Sequence, residues 1–188
     1  HAGLVGKALM QSLVRIHMDV ELASEFMYAD AIVDEDTLVI AISQSGETID
    51  TLEAVKYAKK NGAKTLAVVN VRGSSVARAS DYAFYTNAGP EIAVASTKAY
   101  TTQLAALYLL TGRMAYVRGR FGREDAERFA KELLRTPEAI QAVLDRREEI
   151  HYIARSILNA KDVFMMGRGL DYSILLEGSL KLKEISYI

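Results

Sequence analysis

Residues 38–51 read LVIAISQSGETIDT, an apolar run that passes directly into a loop crowded with hydroxyls. Leu38, Val39, Ile40, Ala41 and Ile42 leave no polar face, which is the pattern of a short parallel strand buried on both sides. Helical spacing follows at once. Ile49, Leu52, Val55 and Ala58 recur on one side while Asp50, Glu53, Lys56, Lys59 and Lys60 fall on the other, and Asn61-Gly62 supplies the stop. Between strand and helix lie Ser43, Gln44, Ser45, Gly46, Glu47 and Thr48. Free amides at a helix start favour an anion, and three hydroxyls with one carboxamide add neutral donors, so the loop has the make-up of a phosphate cradle. The same residue types also build turns and cap helices without any ligand, Ser43 and Ser45 through a turn and Thr48 as a cap. Neither G-x-x-x-x-G-K-[ST] nor a complete G-x-G-x-x-G is present, which favours a small phosphorylated ligand over a nucleoside triphosphate or a dinucleotide.

The strand-to-helix step repeats along the chain. Residues 3–16 read as helix, 18–22 as a strand, 65–69 as a strand, Ser74-Ser75 as the cap of a short helix through Ala79, and 82–85 as another strand. Strands separated by helices predict an α/β fold of right-handed βαβ units, a parallel sheet with helices on both faces. From residue 97 the pattern turns helical, over 97–118, 124–135 and 137–159, with Pro137 in the favoured first helical position. The stretches EDAERFAKELLR and LDRREEI are charge-rich, as in a solvated helical connector. Beyond it, 163–166 reads as a strand, Gly167-Arg168-Gly169 as a loop and 171–187 as a helix. Residues 173–185 can be laid over residues 1–13, with Leu176 on Leu4 and Gly178 on Gly6, so a second α/β unit is expected to open here. The expected division is residues 1–121, a first domain lacking its first strand and loop; 122–154, a linker; and 155–188, the start of a second domain. The start at His1 and the unfinished last helix fit a piece of a longer protein.

Composition narrows the function classes. With 50% hydrophobic residues the chain can bury a core, and 23 Lys+Arg against 24 Asp+Glu leave a net charge of −1, which argues against a broad nucleic-acid surface. There is no cysteine, so thiolate chemistry and disulfides are excluded within these residues and a cytoplasmic setting is permitted. No apolar run is long enough to cross a membrane, and the spacing of His, Asp and Glu matches no metal site.

Three motifs together carry a family resemblance: SQSGET at 43–48, TNAGPEIAVASTKAYTTQL at 86–104, and GRGLDY with LEGSLKLKEISY between 167 and 187. The chain resembles, over almost its whole length, the sugar-isomerase half of the glutamine:fructose-6-phosphate aminotransferases. The first motif alone marks a sugar isomerase (SIS) domain, a class that includes isomerases, deaminases and phosphosugar-sensing regulators. The resemblance implies two tandem SIS domains, each a flavodoxin-like three-layer parallel sheet, joined by helices. It also implies a homodimer, a hexose 6-phosphate substrate, a glutaminase domain elsewhere in the full-length chain and a cytoplasmic enzyme with no cofactor.

By the same resemblance Ser43, Gln44, Ser45 and Thr48 hold the phosphate, and Val94 and Ser96 lie near the sugar, with Gly89-Pro90 shaping the approach. Ser96 also suits a helix cap, and Glu91 and Lys98 suit local ion pairing. Glu177, Lys181 and Glu184 stand at i, i+4 and i+7, on one helical face. Isomerisation between a ketose and an aldose moves a proton between C1 and C2, work that one carboxylate can do. Glu184 matches the family residue for this step, and Lys181 a neighbouring cation able to stabilise oxyanion character. A surface Glu177–Lys181 pair worth about 0.3–0.5 kcal/mol is the plainer alternative. The family's ring-opening histidine, its Schiff-base lysine and a further phosphate-contacting serine have no counterpart in these residues; His1, His17 and His151 match none of those roles. A stand-alone phosphosugar isomerase or deaminase, and a non-catalytic phosphosugar sensor, remain open as other readings.

Overall fold

A computed structural model describes residues 1–96 and 98–187. Three parallel strands, β1 (Leu38–Ser43), β2 (Lys64–Val69) and β3 (Tyr82–Tyr85), form one sheet in the order β1-β2-β3. Ala41 lies opposite Ala67, Ser43 opposite Val69, and Val69 opposite Tyr85. The twofold alternation of the strands sends their side chains into two different cores. On one face Ala41, Ala67 and Val69 pack with Val55 of α3 (Ile49–Lys60) and with Val76 and Ala77 of α4 (Ser75–Ala79). On the other, Ile40 meets Met10 and Val14, which continue α1 (Ala2–Leu9) as a π-helical turn, and Ala115 of α5 (Lys98–Val117). Helices therefore cover both faces, giving the expected three-layer α/β arrangement. Val55, Val68, Val69 and Val76 are wholly buried, each contributing about 1.5–3 kcal/mol through removal from water.

Helix α3 buries the expected Val55 and Ala58 and packs Leu52 against the same core, but not Ile49. Ile49 is 75% exposed, whereas Thr51, Ala54, Val55 and Ala58 face the sheet. Those four stand at i, i+3, i+4 and i+7, a full helical stripe, and Ile49 lies at the helix entry outside it. Residues 18–22 are not a strand. Gln11 Nε2 donates to the Met18 carbonyl (3.3 Å), but no ladder forms there, and a short helix, α2 (Ala23–Phe26), follows.

Past α5 come α6 (Arg123–Leu134), α7 (Thr136–Leu144), α8 (Arg147–Ser156) and α9 (Leu170–Ser186). The helix expected over 137–159 is thus two helices. The break falls at Asp145-Arg146, where the Asp145 carboxylate accepts from Gln141 Nε2 (2.8 Å) and Arg146 leaves helical geometry at ψ 18°. Residues 163–166 form no ladder with any described strand, and Phe164 and Met166 are each 88% exposed. Residue 97, where the long helix was expected to begin, and residue 188 lie outside the described residues. Helix α9 packs back on α1, and His1 Nδ1 meets the Glu177 carboxylate at 2.8 Å.

Candidate functional site

The C-terminal ends of the strands gather the first motif. Ser43 ends β1 and is buried; its hydroxyl accepts from the Gly46 amide (3.0 Å) and lies 3.1 Å from the Thr48 hydroxyl. Ser45 accepts from the Glu47 amide (3.2 Å). Both serines therefore build the turn, as their residue type allows. Thr48 does not behave as a cap. It occupies the N-cap position of α3, yet its side chain makes no capping bond and turns toward Ser43 instead. The leading amides of α3 are left without a side-chain cap beside a pair of hydroxyls, which is an anion-receptive arrangement. Gly46 sits at φ +66° against the Ser74 side chain, where an added Cβ would collide with that hydroxyl. Glu47 does not bring its charge into the turn: hydrogen bonds from the Ser75 hydroxyl and amide hold its carboxyl below the ordinary range, directed at the start of α4.

The second motif leaves β3 at the same end of the sheet. Asn87 and Gly89 take φ +52° and +70°, and Asn70, just past β2, bonds to the segment at Ala88 and Gly89. A cavity of about 510 Å³ lies here, lined by Asn70, Val71, Arg72, Asn87, Gly89 and Pro90. Val94 is 99% exposed. Ser96 is half-buried and donates to Glu91 (2.9 Å), whose carboxyl is held below its usual range chiefly by that bond. Lys98 Nζ donates to the Pro90 carbonyl. Glu91 and Lys98 thus have local partners, Glu91 in Ser96 and the Ala93 amide rather than in an ion pair. The expected capping of the long helix by Ser96 involves residue 97 and falls outside the described residues.

The third motif forms one face of α9. Lys181 Nζ lies 2.7 Å from Glu184 and 3.4 Å from Glu177. The hydrogen bond to Glu184 is the main cause that raises the Lys181 ammonium above its ordinary value, so this side chain is a cation at neutral pH. The structure brings Glu184 and Lys181 together, and separately Ser43, Gln44, Ser45 and Thr48. Among the described residues no hydrogen bond or ion pair joins the two groups. Asn70 was missed from sequence, as was the contact of His1 with Glu177, and Ser74, expected to cap α4, holds that N-cap position without a side-chain capping bond. Asn70 had a readable signal, a lone polar residue directly after the buried run of β2. Among the described residues no cluster of three or more His, Asp or Glu is placed to hold a metal ion, and no helix is long and apolar enough to cross a membrane.

A turn of hydroxyls at the end of a buried parallel strand, running into an uncapped helix, coincides with a family match. Residues 1–113 match the SIS domain model. This chain belongs to the SIS domain family. It is 53% identical over 188 residues to the glutamine–fructose-6-phosphate aminotransferase (isomerizing) of Clostridium tetani, covering 100% of this chain and 31% of that protein. The corresponding protein of Thermococcus kodakarensis is 51% identical over 189 residues, again with 31% of its length covered. This SIS chain thus spans about a third of the curated relatives it matches. Among solved structures, the C-terminal domain of glucosamine-fructose-6-phosphate aminotransferase from Francisella tularensis superposes with TM-score 0.96 at 40% identity, covering 100% of this chain and 53% of that one. The glucosamine-6-phosphate deaminase of Thermotoga maritima shares the fold, with TM-score 0.74 at 22% identity over 99% of this chain and 55% of that one.

Proposed function

We propose that this SIS chain is the sugar-isomerase part of an enzyme converting fructose 6-phosphate, with glutamine-derived ammonia, to glucosamine 6-phosphate. The observation that carries the reading is the Lys181–Glu184 pair at 2.7 Å, a carboxylate held beside a fixed cation. Residues 43–48 anchor the phosphate through the Ser43, Ser45 and Thr48 hydroxyls, the Gln44 side chain and the open amides of α3. Val94 and Ser96 border the sugar. Glu184 moves the proton between C1 and C2, and Lys181 stabilises the negative charge that develops on oxygen. Residues 1–121 are read as a first SIS domain, 122–154 as a linker and 155–188 as the start of a second. A glutaminase domain, a homodimer and a cytoplasmic setting complete the proposal, supported by the similarity to the aminotransferases.

The test uses the full-length protein. Glu184→Gln should lower sugar-phosphate isomerisation by about a hundredfold or more while hexose 6-phosphate affinity stays within a few-fold. Ser45→Ala with Thr48→Ala should do the reverse, weakening the phosphorylated sugar far more than the unphosphorylated one by calorimetry. Retained turnover in Glu184→Gln overturns the role given to Glu184, absence of turnover in the wild-type protein with hexose 6-phosphate still bound points to a phosphosugar sensor, and turnover independent of glutamine or ammonia points to a stand-alone isomerase.

A further inference from the structure

Two side chains just past β2 bond into the segment that follows β3, Arg72 once, to the Asn87 side chain (3.2 Å), and Asn70 three times, while the Asn70 backbone reaches the loop that follows β1. Its amide donates to the Gln44 carbonyl (3.0 Å), extending the β1–β2 ladder one residue into the 43–48 loop. Its carboxamide works the other way. Nδ2 donates to the Gly89 carbonyl (2.7 Å), while Oδ1 accepts from the Ala88 amide (2.8 Å) and from the Thr86 hydroxyl (3.3 Å). The orientation of the carboxamide follows from its partners, since the Gly89 carbonyl can only accept and the Ala88 amide can only donate. A side-chain amide here replaces a strand, offering a peptide-like donor and acceptor to a chain that has left the sheet. That chain needs holding, because Asn87 and Gly89 both lie at positive φ, and for Asn87 this conformation is costly.

We infer that Asn70 is a positioning residue that sets the sugar-facing segment 86–96 relative to the phosphate loop 43–48. The inference rests on the proposed phosphosugar reading and deepens it. The two loops then meet the two ends of one ligand, and Asn70 determines the span between them. The 43–48 loop keeps its own internal bonds, Gly46 to Ser43 and Glu47 to Ser45, so it does not need Asn70 for its shape. Disturbing the carboxamide therefore displaces one end of the site and leaves the other in place.

The test is Asn70→Asp in the full-length protein. The isosteric carboxylate keeps the Ala88 contact but has no donor for the Gly89 carbonyl and repels it. Asn70→Ser, neutral and too short to bridge, serves if the charged variant does not fold. KM for fructose 6-phosphate should rise about tenfold while the competitive inhibition constant of inorganic phosphate stays within about twofold. A uniform loss of both overturns the coupling and makes Asn70 a support of the strand end, and an unchanged KM overturns it outright. Amide hydrogen exchange gives a readout free of activity: in Asn70→Ser, which loses the acceptor for the Ala88 amide, Ala88 should exchange about tenfold faster and Gly46 at its original rate. If the wild-type protein turns over no fructose 6-phosphate, the functional reading fails on that ground, and the Ala88 and Gly46 exchange rates still decide whether Asn70 holds one loop independently of the other.

Discussion

Gly46 and Ser74 show how closely the phosphate loop is packed. Gly46 is at φ +66°, and a Cβ there would meet the Ser74 side chain, which is 2% exposed and whose hydroxyl has no hydrogen-bond partner among the described residues. Gly46→Ala meets both a left-handed backbone and a steric collision, so it should destabilise the protein by about 1–3 kcal/mol in urea unfolding. Ser74→Ala removes a buried, unsatisfied hydroxyl and should leave stability unchanged or raise it by about 1 kcal/mol. The two should couple, since Ser74→Ala removes the nearest colliding atom; additive losses in the double variant would show that the collision is not with Ser74. At this scale the sequence named Ser43, Ser45 and Thr48 correctly as neighbours in one turn. It was silent on the direction of each hydroxyl, because Thr48 has equal chemistry for capping α3 and for meeting Ser43, and only the path of the loop chooses.

Elements are joined by a few polar ties, and Asp81 makes one of them. Its carboxylate accepts from the Thr65 amide and hydroxyl, both at 2.9 Å, its own amide donates to the Thr65 hydroxyl, and Lys59 of α3 lies at 3.0 Å. These bonds, the one from Lys59 first, lower its carboxyl from 3.8 to about 2. A carboxyl whose folded value is depressed adds stability above its unfolded value, and that stability is lost as pH falls through the folded one. Between about pH 4 and pH 2 the wild-type protein should therefore lose stability more steeply than Asp81→Asn, measured by denaturant midpoints across that range. Element type was readable for 38–42, 65–69 and 82–85 because apolar runs of that length, bounded by turn residues, suit buried strands. It failed for 18–22, where apolar and acidic residues alternate (MDVEL), and for the apolar run 163–166. A strand exists only through the strand beside it, and no neighbour pairs with either segment among the described residues. The split of 137–159 was unreadable for another reason: Asp145-Arg146 contains no glycine or proline to announce it.

Burial is unevenly spread over the molecule. The cores on the two faces of the sheet draw on α1, α3, α4 and α5, whereas α6, α7 and α8 contain no buried residue. On α7 and α8, Val143, Leu144, Tyr152 and Ile153 are 57–77% exposed. Local opening follows buried contact, so in this 188-residue chain the α7 and α8 amides should exchange with solvent much faster than those of β1 and β2, by hydrogen-exchange mass spectrometry. Equal protection would mean that these helices are covered in solution. Local patterning in the chain was enough for a parallel α/β unit, for the hydroxyl turn after its first strand and for the shared helical face of Lys181 and Glu184. Each of those follows from neighbours a few residues apart, where periodicity and backbone geometry act directly. Packing alone settled that Ile49 stays outside the buried stripe of α3, that Thr48 turns to Ser43, that α9 lies on α1 with His1 against Glu177, and that Asn70 binds the segment after β3. Those contacts join residues far apart in the chain, and their energies exist only once the sheet has brought the strand ends together.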